Sequence, residues 1–228
     1  MAKNTKNQTD KKTENVKKVV VESESFIQKH LKIISIVLTV VLIVIIGIIL
    51  INRFYLVPRQ EKANSEMFMA EKYFGEQKYD IALNGDGNNL GFLDVINNYK
   101  NTKAGKISNY YAGISYLKTG DFDNAIKYLS KFKSKDQYIF GLSRAAIGDA
   151  YIEKNKISKA IDYYKKAVAI KPNKVTTPEF LSKLGMAYEL NGDNANALKT
   201  YKTLVDNYPD ATISIEGKRS IGRLEGKK

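Results

Sequence analysis

The chain has 228 residues, a formal net charge of +13, a single His and neither Cys nor Trp. Its length suits one domain, or two small ones with accessory segments. Without Cys the chain cannot form a disulfide scaffold, a thiolate zinc site, a Cys nucleophile or a lipid anchor on an N-terminal Cys. His30 lies beside the apolar run described below and is interpreted as an interfacial residue rather than a base or a metal ligand.

Residues 1–28 are predicted to form a disordered tail. The first aromatic residue is Phe26, and the stretch before it consists mainly of Lys, Asn, Thr, Glu and Val. Such a composition buries too little apolar surface to offset the entropy that is lost on ordering.

Residues 29–55 are predicted to hold one transmembrane helix and its flanks. Nineteen uncharged residues, IISIVLTVVLIVIIGIILI, run from Ile33 to Ile51. As an α-helix they would span about 28 Å, close to the roughly 30 Å hydrocarbon core of a bilayer. The main alternative is a cleaved signal peptide, whose apolar core is about 7–15 residues long and ends at a small-residue cleavage site. This run is longer and ends in NRFY, which favours a permanent span.

Positive charges near the span predict its orientation. The apolar run is preceded by Lys17, Lys18, Lys29 and Lys32 and followed by Arg53, Arg59 and Lys62. Cytoplasmic flanks carry the excess of Lys and Arg, and long domains translocate largely regardless of charge. The Lys-rich tail therefore predicts a cytoplasmic N-terminus and an extracytoplasmic C-terminal part.

The residues after the span contain an internal repeat. Three segments, Gly113–Leu129, Gly148–Pro172 and Gly185–Pro209, begin with Gly and place Tyr three residues later and Ala twelve residues later. A large side chain follows the Ala by four residues, and successive glycines are 35 and 37 residues apart. The shared positions are Tyr116, Tyr151 and Tyr188, then Ala125, Ala160 and Ala197, then Leu129, Tyr164 and Tyr201. This spacing is that of the tetratricopeptide repeat (TPR), a helix–turn–helix unit of about 34 residues.

The repeat pattern also predicts how each helix pair packs. The Gly of the first helix is expected to admit the second helix closely, with the Ala of the second helix as the matching small contact. The three Tyr residues of the first helices are expected to carry most of the buried area. The turns hold Gly120, Asn155 and Gly192, where a left-handed backbone is needed.

A degenerate unit precedes the three clear ones. Ala70, Tyr73, Tyr79 and Ala82 recur at the same offsets, ahead of a predicted insertion at residues 83–94. The degenerate unit and its insertion are assigned to residues 56–105.

The prediction as a whole is all-α. A single N-terminal transmembrane helix is followed by a right-handed TPR superhelix, whose three clear units and C-terminal capping helix occupy residues 106–228. The capping helix is placed at residues 213–224, where a polar outer face would close the open end of the stack.

A short Lys-rich tail, one span and a compact set of TPRs resemble the YfgM-like family of membrane-anchored TPR proteins. The resemblance covers roughly residues 30–225. Between Ala70 and Gly113, the run LNGDGNNLGFLDVINNYKNTKAG ahead of NYYAG resembles the Bacteroidetes-type members. The family resemblance implies a bacterial inner-membrane protein with periplasmic repeats.

The resemblance also implies a function. It suggests a non-catalytic accessory subunit of the SecYEG translocon that links secreted clients to periplasmic chaperones, including a PpiD-like anchored prolyl isomerase. The alternative is a structural scaffold of another envelope complex, in secretion or division machinery. Neither interpretation needs a cofactor, a small-molecule substrate or a nucleic acid.

The concave surface of the stack is the predicted protein-binding groove, because the first helix of each TPR unit lines it. By their offsets, the lining residues are Met67, Phe74, Ile107, Tyr110, Ile114, Leu117, Asp149, Ile152, Glu153, Met186 and Glu189. This mixture suits an apolar or amphipathic segment. The alternative is that half of these side chains pack against neighbouring helices. The Lys, Asn and Arg pattern of carboxylate-clamp TPRs is absent, so a free C-terminal carboxylate is not the expected ligand.

Other site patterns are weak. Asn84, Asp86, Asn88 and Asp94 resemble the start of a calcium loop, but an EF-hand needs Gly at its sixth position and Glu at its twelfth, and this chain has Asn and Val there. A Gly/Asn-rich turn is the preferred interpretation. No P-loop or GxSxG motif is present, so no catalytic or metal site is predicted. The Lys-rich run KFKSK, residues 131–135, is a candidate contact for anionic headgroups.

Overall fold

The fold is taken from a computed structural model in which residues 21, 28–33 and 35–226 are described. Almost all of the predicted tail, residues 1–28, lies outside these residues. The chain divides into two compact units, Met1–Pro58 and Arg59–Lys228.

The first unit contains an apolar helix, α1, over residues 35–51, which ends in a π-helical turn at Asn52–Leu56. Its large side chains are exposed, as in Ile36 and Ile43, each 63% accessible. Among the described residues, one helix is long and apolar enough to cross a membrane, and it contains this apolar run. A core helix of a soluble protein would be mostly buried, so the exposure fits a helix that faces lipid. A signal sequence passes the same test of length and composition.

The second unit is a stack of helices, and from Phe92 onwards each helix packs chiefly against its neighbours in sequence. No strand occurs among the residues that are described. The helices are α2 (Val57–Gly75), α3 (Tyr79–Asn84), α4 (Phe92–Tyr99), α5 (Lys103–Thr119), α6 (Phe122–Lys131), α7 (Gln137–Glu153), α8 (Ile157–Ala169), α9 (Thr177–Leu190), α10 (Asn194–Asn207) and α11 (Ser214–Glu225). The pairs α5/α6, α7/α8 and α9/α10 are the three clear repeats.

The turn between the two helices of each unit has one recurring geometry. Its central residue has a positive φ: Gln77 (60°), Gly120 (84°), Asn155 (52°) and Gly192 (76°). The next N–H donates to the carbonyl of the repeated Tyr, over 2.9, 2.9, 2.8 and 2.9 Å for Tyr73, Tyr116, Tyr151 and Tyr188. This is the hydrogen bond that closes a left-handed helix end. The predicted left-handed residues are confirmed, and Gln77 shows that the degenerate unit shares the turn.

The repeated Gly admits an entire side chain of the partner helix. A Cβ atom at Gly148 would lie 2.6 Å from Tyr164 Cε1, and one at Gly185 would lie 2.5 Å from Tyr201 Cε1. In the first clear repeat the corresponding contact is between Gly113 and Leu129. The expected Gly-to-Ala match is therefore wrong in detail, because the side chain four residues after the Ala fills the space over the Gly.

The burial of the aromatic residues also differs from the prediction. The Tyr residues of the first helices are only partly buried: Tyr116 stacks on Tyr128 with ring centroids 5.4 Å apart, and Tyr151 lies 5.5 Å from Tyr163. The more deeply buried rings belong to the second helices, at Tyr164 and Tyr201, which are 3% and 4% exposed. In the second and third clear repeats the prediction therefore assigned the deepest burial to the wrong Tyr, and in the first clear repeat the completely buried side chain of the second helix is Leu129.

The insertion splits the second helix of the degenerate unit. Helix α3 ends at Asn84, a loop covers residues 85–91, and α4 begins at Phe92, which is completely buried. The Phe92 ring stacks on Tyr111 of α5, with centroids 5.0 Å apart. The insertion thus returns a helix to the core instead of leaving a long loop at the surface.

Helix α11 covers the last repeat, which confirms the predicted capping helix. Leu224 is 6% exposed and lies in a core cluster with Leu181, Tyr201 and Leu204. Arg223 of α11 also forms an ion pair with Glu189 of α9, at 2.5 Å from Nη1 to Oε2. The cap therefore joins the stack through both apolar and charged contacts.

Candidate protein-binding groove

A cavity in the second unit lies along the first helices of the repeats. It has a volume of about 690 Å³ and is lined by residues of α5, α7 and α9, together with residues at the start of α11. The predicted groove residues in its lining are Leu117, Asp149, Ile152, Glu153 and Met186. We call this cavity the groove from here on. Its size lies within the range of about 300–1,000 Å³ that is typical of ligand pockets.

The remaining predicted residues lie elsewhere. Met67 is 7% exposed in the core of the second unit, and its Sδ accepts a hydrogen bond from Ser108 Oγ over 3.2 Å. Its assignment to an open surface is corrected by this burial. The others are partly buried beside neighbouring helices, as the alternative interpretation expected; they are Phe74, Ile107, Tyr110, Ile114 and Glu189.

Two of these residues are held by specific partners. Phe74 packs edge-on against Tyr111, with centroids 5.1 Å apart. Glu189 accepts a hydrogen bond from Tyr201 Oη over 2.9 Å and pairs with Arg223. Burial and this carboxylate together raise the pKa of Tyr201, so the phenol stays protonated. Glu189 thus fastens the cap to the third clear repeat.

A charged network forms one wall of the groove. Lys183 Nζ donates to both oxygens of Asp149 over 2.6 and 2.7 Å, and Tyr164 Oη donates to Oδ1 over 2.7 Å. Burial of the ring, and then the nearby Asp149 charge, raise the pKa of Tyr164. The network ties α7, α8 and α9 together, so Asp149 has a structural task beside any role in binding.

Three other carboxylates face the same groove. Glu153, Glu179 and Glu216 line it, are exposed, and take part in no ion pair among the described residues. The sequence prediction missed Glu179, Lys183 and Glu216. Lys183 could have been found, since it precedes Met186 by three residues and so shares its helix face. Glu216 could not, because it belongs to the capping helix.

Met186 is the most prominent apolar side chain of the groove. It is 56% exposed on α9, and Ile152 and Leu117 line the same cavity from α7 and α5. Met is flexible and polarisable, so it adapts to varied apolar surfaces. The groove can therefore hold a segment of protein by apolar contact while charged groups surround that contact.

The suspected calcium loop has an internal explanation. Asp86 accepts hydrogen bonds from Tyr73 Oη over 2.6 Å and from the backbone N–H groups of Asn88 and Asn89 over 2.9 and 2.6 Å. These donors, Tyr73 first, lower the pKa of Asp86. Among the described residues no group of three His, Cys, Asp or Glu side chains is placed to hold a metal ion. The Asp86 carboxylate organises the turn that precedes α4.

Comparison with known proteins supports the repeats. Residues 148–192 match a family model described as TPR repeat, and residues 108–136 and 179–211 match one described as tetratricopeptide repeat. Two solved structures of a Podosopora anserina putative kinesin light chain with nearly identical TPR-like repeats, one of them a point variant, each superpose with a TM-score of 0.58. Each is 14% identical and covers 74% of this chain and 89% of its own. The fold is a TPR superhelix.

One curated relative is the Photosystem I assembly protein Ycf3 of Prochlorococcus marinus (strain NATL1A). It is 31% identical over 98 residues, which are 42% of this chain and 53% of the relative. The chain thus spans about half the length of that relative. TPR repeats are protein–protein interaction modules and are typically non-catalytic, which agrees with the predicted class of function. The narrower resemblance to the YfgM-like family stays a prediction.

Proposed function

We propose that this chain is a non-catalytic, membrane-anchored binding module that serves as an accessory subunit of the SecYEG translocon and passes secreted chains to periplasmic chaperones. The observation that carries the binding role is the groove, where Met186, Ile152 and Leu117 offer an apolar surface from three successive first helices. An amphipathic segment laid into such a groove makes repeated apolar contacts along its length. The translocon as the location rests on the YfgM-like resemblance.

The exposed apolar helix α1 supports the anchor. In a membrane its apolar side chains would face lipid and its backbone groups would be satisfied within the helix. With the cytoplasmic N-terminus that the charges predict, protease added to spheroplasts should degrade residues 56–228 and leave the tail intact. Protection of the repeats together with loss of the tail would reverse the orientation and remove the translocon proposal.

Site-specific photo-crosslinking tests the partner. A photoreactive residue at Ile152 or Met186 should crosslink to secreted chains and to translocon or PpiD-like subunits in intact cells. Lys199 of α10 is exposed and does not line the groove, so the same residue placed there is the matched control. Crosslinks that are equal at all three positions would contradict the groove as the site of binding.

A structural scaffold in another envelope complex is the second candidate. It is favoured by the similarity of 98 residues to a protein named for its role in assembly. A scaffold would hold one stoichiometric partner, whereas a translocon accessory subunit would exchange many clients. Purification of the intact protein in mild detergent, with the co-purifying chains quantified, separates the two: one partner at constant ratio supports the scaffold.

A further inference from the structure

The carboxylates of the groove set its charge apart from that of the whole chain. The chain carries a net charge of +13, yet the groove is lined by Asp149, Glu153, Glu179 and Glu216 against two lysines, Lys118 and Lys183. Lys183 is already paired with Asp149. Three exposed carboxylates therefore face the groove with one lysine beside them, and a docked segment would meet a locally negative surface in an otherwise basic protein.

Local helix structure accounts for part of this arrangement. Glu179 and Glu216 lie in the first turns of α9 and α11, where a negative charge stabilises the helix dipole. Glu153 is the last residue of α7, where the dipole disfavours a negative charge, and no described ion pair compensates it. The fold itself therefore does not explain Glu153, whereas a positively charged group on a ligand would.

We propose that the groove selects protein segments that carry an apolar anchor flanked by Lys or Arg, and rejects segments of the same shape flanked by Asp or Glu. This inference rests on the proposed function of the groove as a protein-binding site. The apolar anchor would contact Met186, which is 56% exposed, and the flanking cations would lie near Glu153, Glu179 and Glu216. Charge then provides discrimination between segments, while the apolar contact provides most of the affinity.

Three synthetic peptides test the selection. They share one apolar face of Leu and Met and differ only at the polar positions, which are all Lys, all Gln or all Glu, residues with similar helix propensity. Binding to the full chain is measured by fluorescence anisotropy in nanodiscs of zwitterionic phosphatidylcholine, which has no net charge. Empty nanodiscs serve as the blank. Three exposed ion pairs, between peptide lysines and Glu153, Glu179 and Glu216, predict roughly tenfold tighter binding of the Lys peptide than of the Glu peptide at low salt. The preference should shrink as salt is added.

Two triple variants show whether the groove is responsible. Glu153→Gln, Glu179→Gln and Glu216→Gln together should abolish most of the preference for the Lys peptide. The matched control carries Glu61→Gln, Asp162→Asn and Asp206→Asn, three exposed acids outside the groove, and changes the net charge of the protein by the same amount. It should keep the preference. Because all six side chains are exposed, circular dichroism should show both variants folded.

The outcomes separate this inference from the proposed function. If the Lys, Gln and Glu peptides bind equally, or if the groove variant keeps the preference, the charge selection is overturned. Loss of binding in Met186→Asp would then show that the groove still binds, whereas binding that survives this substitution would overturn the proposed function of the groove as well. If no peptide binds the wild-type protein, the proposed function and the selection both fail. A preference that both triple variants lose equally would reflect the net charge of the protein and would also overturn the proposal.

Discussion

The Tyr164 ring lies directly over the backbone of Gly148, at the position that a side chain at residue 148 would occupy. A Cβ atom there would be 2.6 Å from Cε1 and 2.7 Å from Cδ1 of the ring. The ring is fixed at its far end, because its hydroxyl donates to Asp149 Oδ1 over 2.7 Å. The close approach of α7 and α8 therefore depends on one missing side chain and one anchored ring.

Gly148→Ala should lower the free energy of unfolding by about 1–3 kcal/mol, because the anchored ring cannot move aside without cost. Gly222 is the matched control: it also lies in a helix, α11, but a Cβ atom there would meet nothing within 4 Å. Gly222→Ala should raise stability by about 0.5–1 kcal/mol through reduced chain entropy. Chemical denaturation followed by circular dichroism measures both. Equal effects of the two substitutions would contradict the packing described here.

Gln77 should be a site of backbone strain that Gly relieves. Its φ of 60° is in the left-handed region, and Gln has no special tolerance for it. Gln77→Gly should raise stability by up to about 1 kcal/mol. A left-handed non-Gly residue costs roughly 1–2 kcal/mol, and the larger conformational entropy that Gly loses on folding offsets part of the gain. Gly120→Ala is the reverse experiment and should destabilise, although a Cβ atom there meets nothing within 4 Å. Thermal unfolding should show opposite signs for the two variants.

Arg223 should hold the capping helix to the stack through both oxygens of Glu189, at 2.5 and 3.0 Å. Arg223→Ala should increase hydrogen exchange of the α11 amides and leave α7 and α8 protected, because the pair is local to the cap. Arg223→Lys keeps the charge but loses the two-pronged geometry, and should lie between wild type and Ala. Unchanged exchange in the Ala variant would assign the docking of α11 to its apolar contacts alone.

Two helix caps should make the repeats sensitive to acid. Asp121 accepts from Asn124 and Asp193 from Asn196, in each case over 2.7 Å from the side-chain amide and 3.1 Å from the backbone N–H. These hydrogen bonds, the side-chain one first, lower the pKa of both carboxyls in the folded state. Their contribution is therefore present above the unfolded pKa of about 3.9 and is lost as the pH falls through the lower folded value.

The test is the Asp121→Asn, Asp193→Asn double variant, because Asn is as good an N-cap as Asp but does not titrate. The melting temperature of the wild-type protein should fall more steeply below about pH 4 than that of the variant. Parallel curves would show that other carboxyls govern the acid transition.

Met186→Asp should abolish capture of apolar segments without unfolding the repeats, because the side chain is 56% exposed and a charge there has access to water. Met67→Asp is the matched comparison. Met67 is 7% exposed, so a buried carboxylate there should unfold the first half of the stack. Binding of the all-Gln peptide and circular dichroism of both variants check the pair. A folded Met186→Asp protein that still binds would place the site outside the groove.

The repeat spacing alone predicted the helix pairs, their turns and the capping helix. These features follow from local chemistry that the sequence displays directly: Gly or Asn where φ is positive, and apolar residues at helical spacing. The apolar run was equally visible, because nineteen consecutive uncharged residues are long enough to cross a bilayer as one helix. Five of the eleven predicted groove residues line the cavity, since offset within a repeat fixes the face of the helix on which a residue lies.

Only the tertiary structure decided which side chain of the second helix fills the space over each repeated Gly, since Ala160 and Tyr164, four residues apart, lie on the same face of that helix and only Tyr164 covers Gly148. It also decided that Met67 is buried and that Lys183 neutralises Asp149, because both depend on how close neighbouring helices approach. Glu216 enters the groove from α11, more than twenty residues beyond the first helix of the last repeat. Burial and pairing arise between elements, and a pattern read within one element does not contain them.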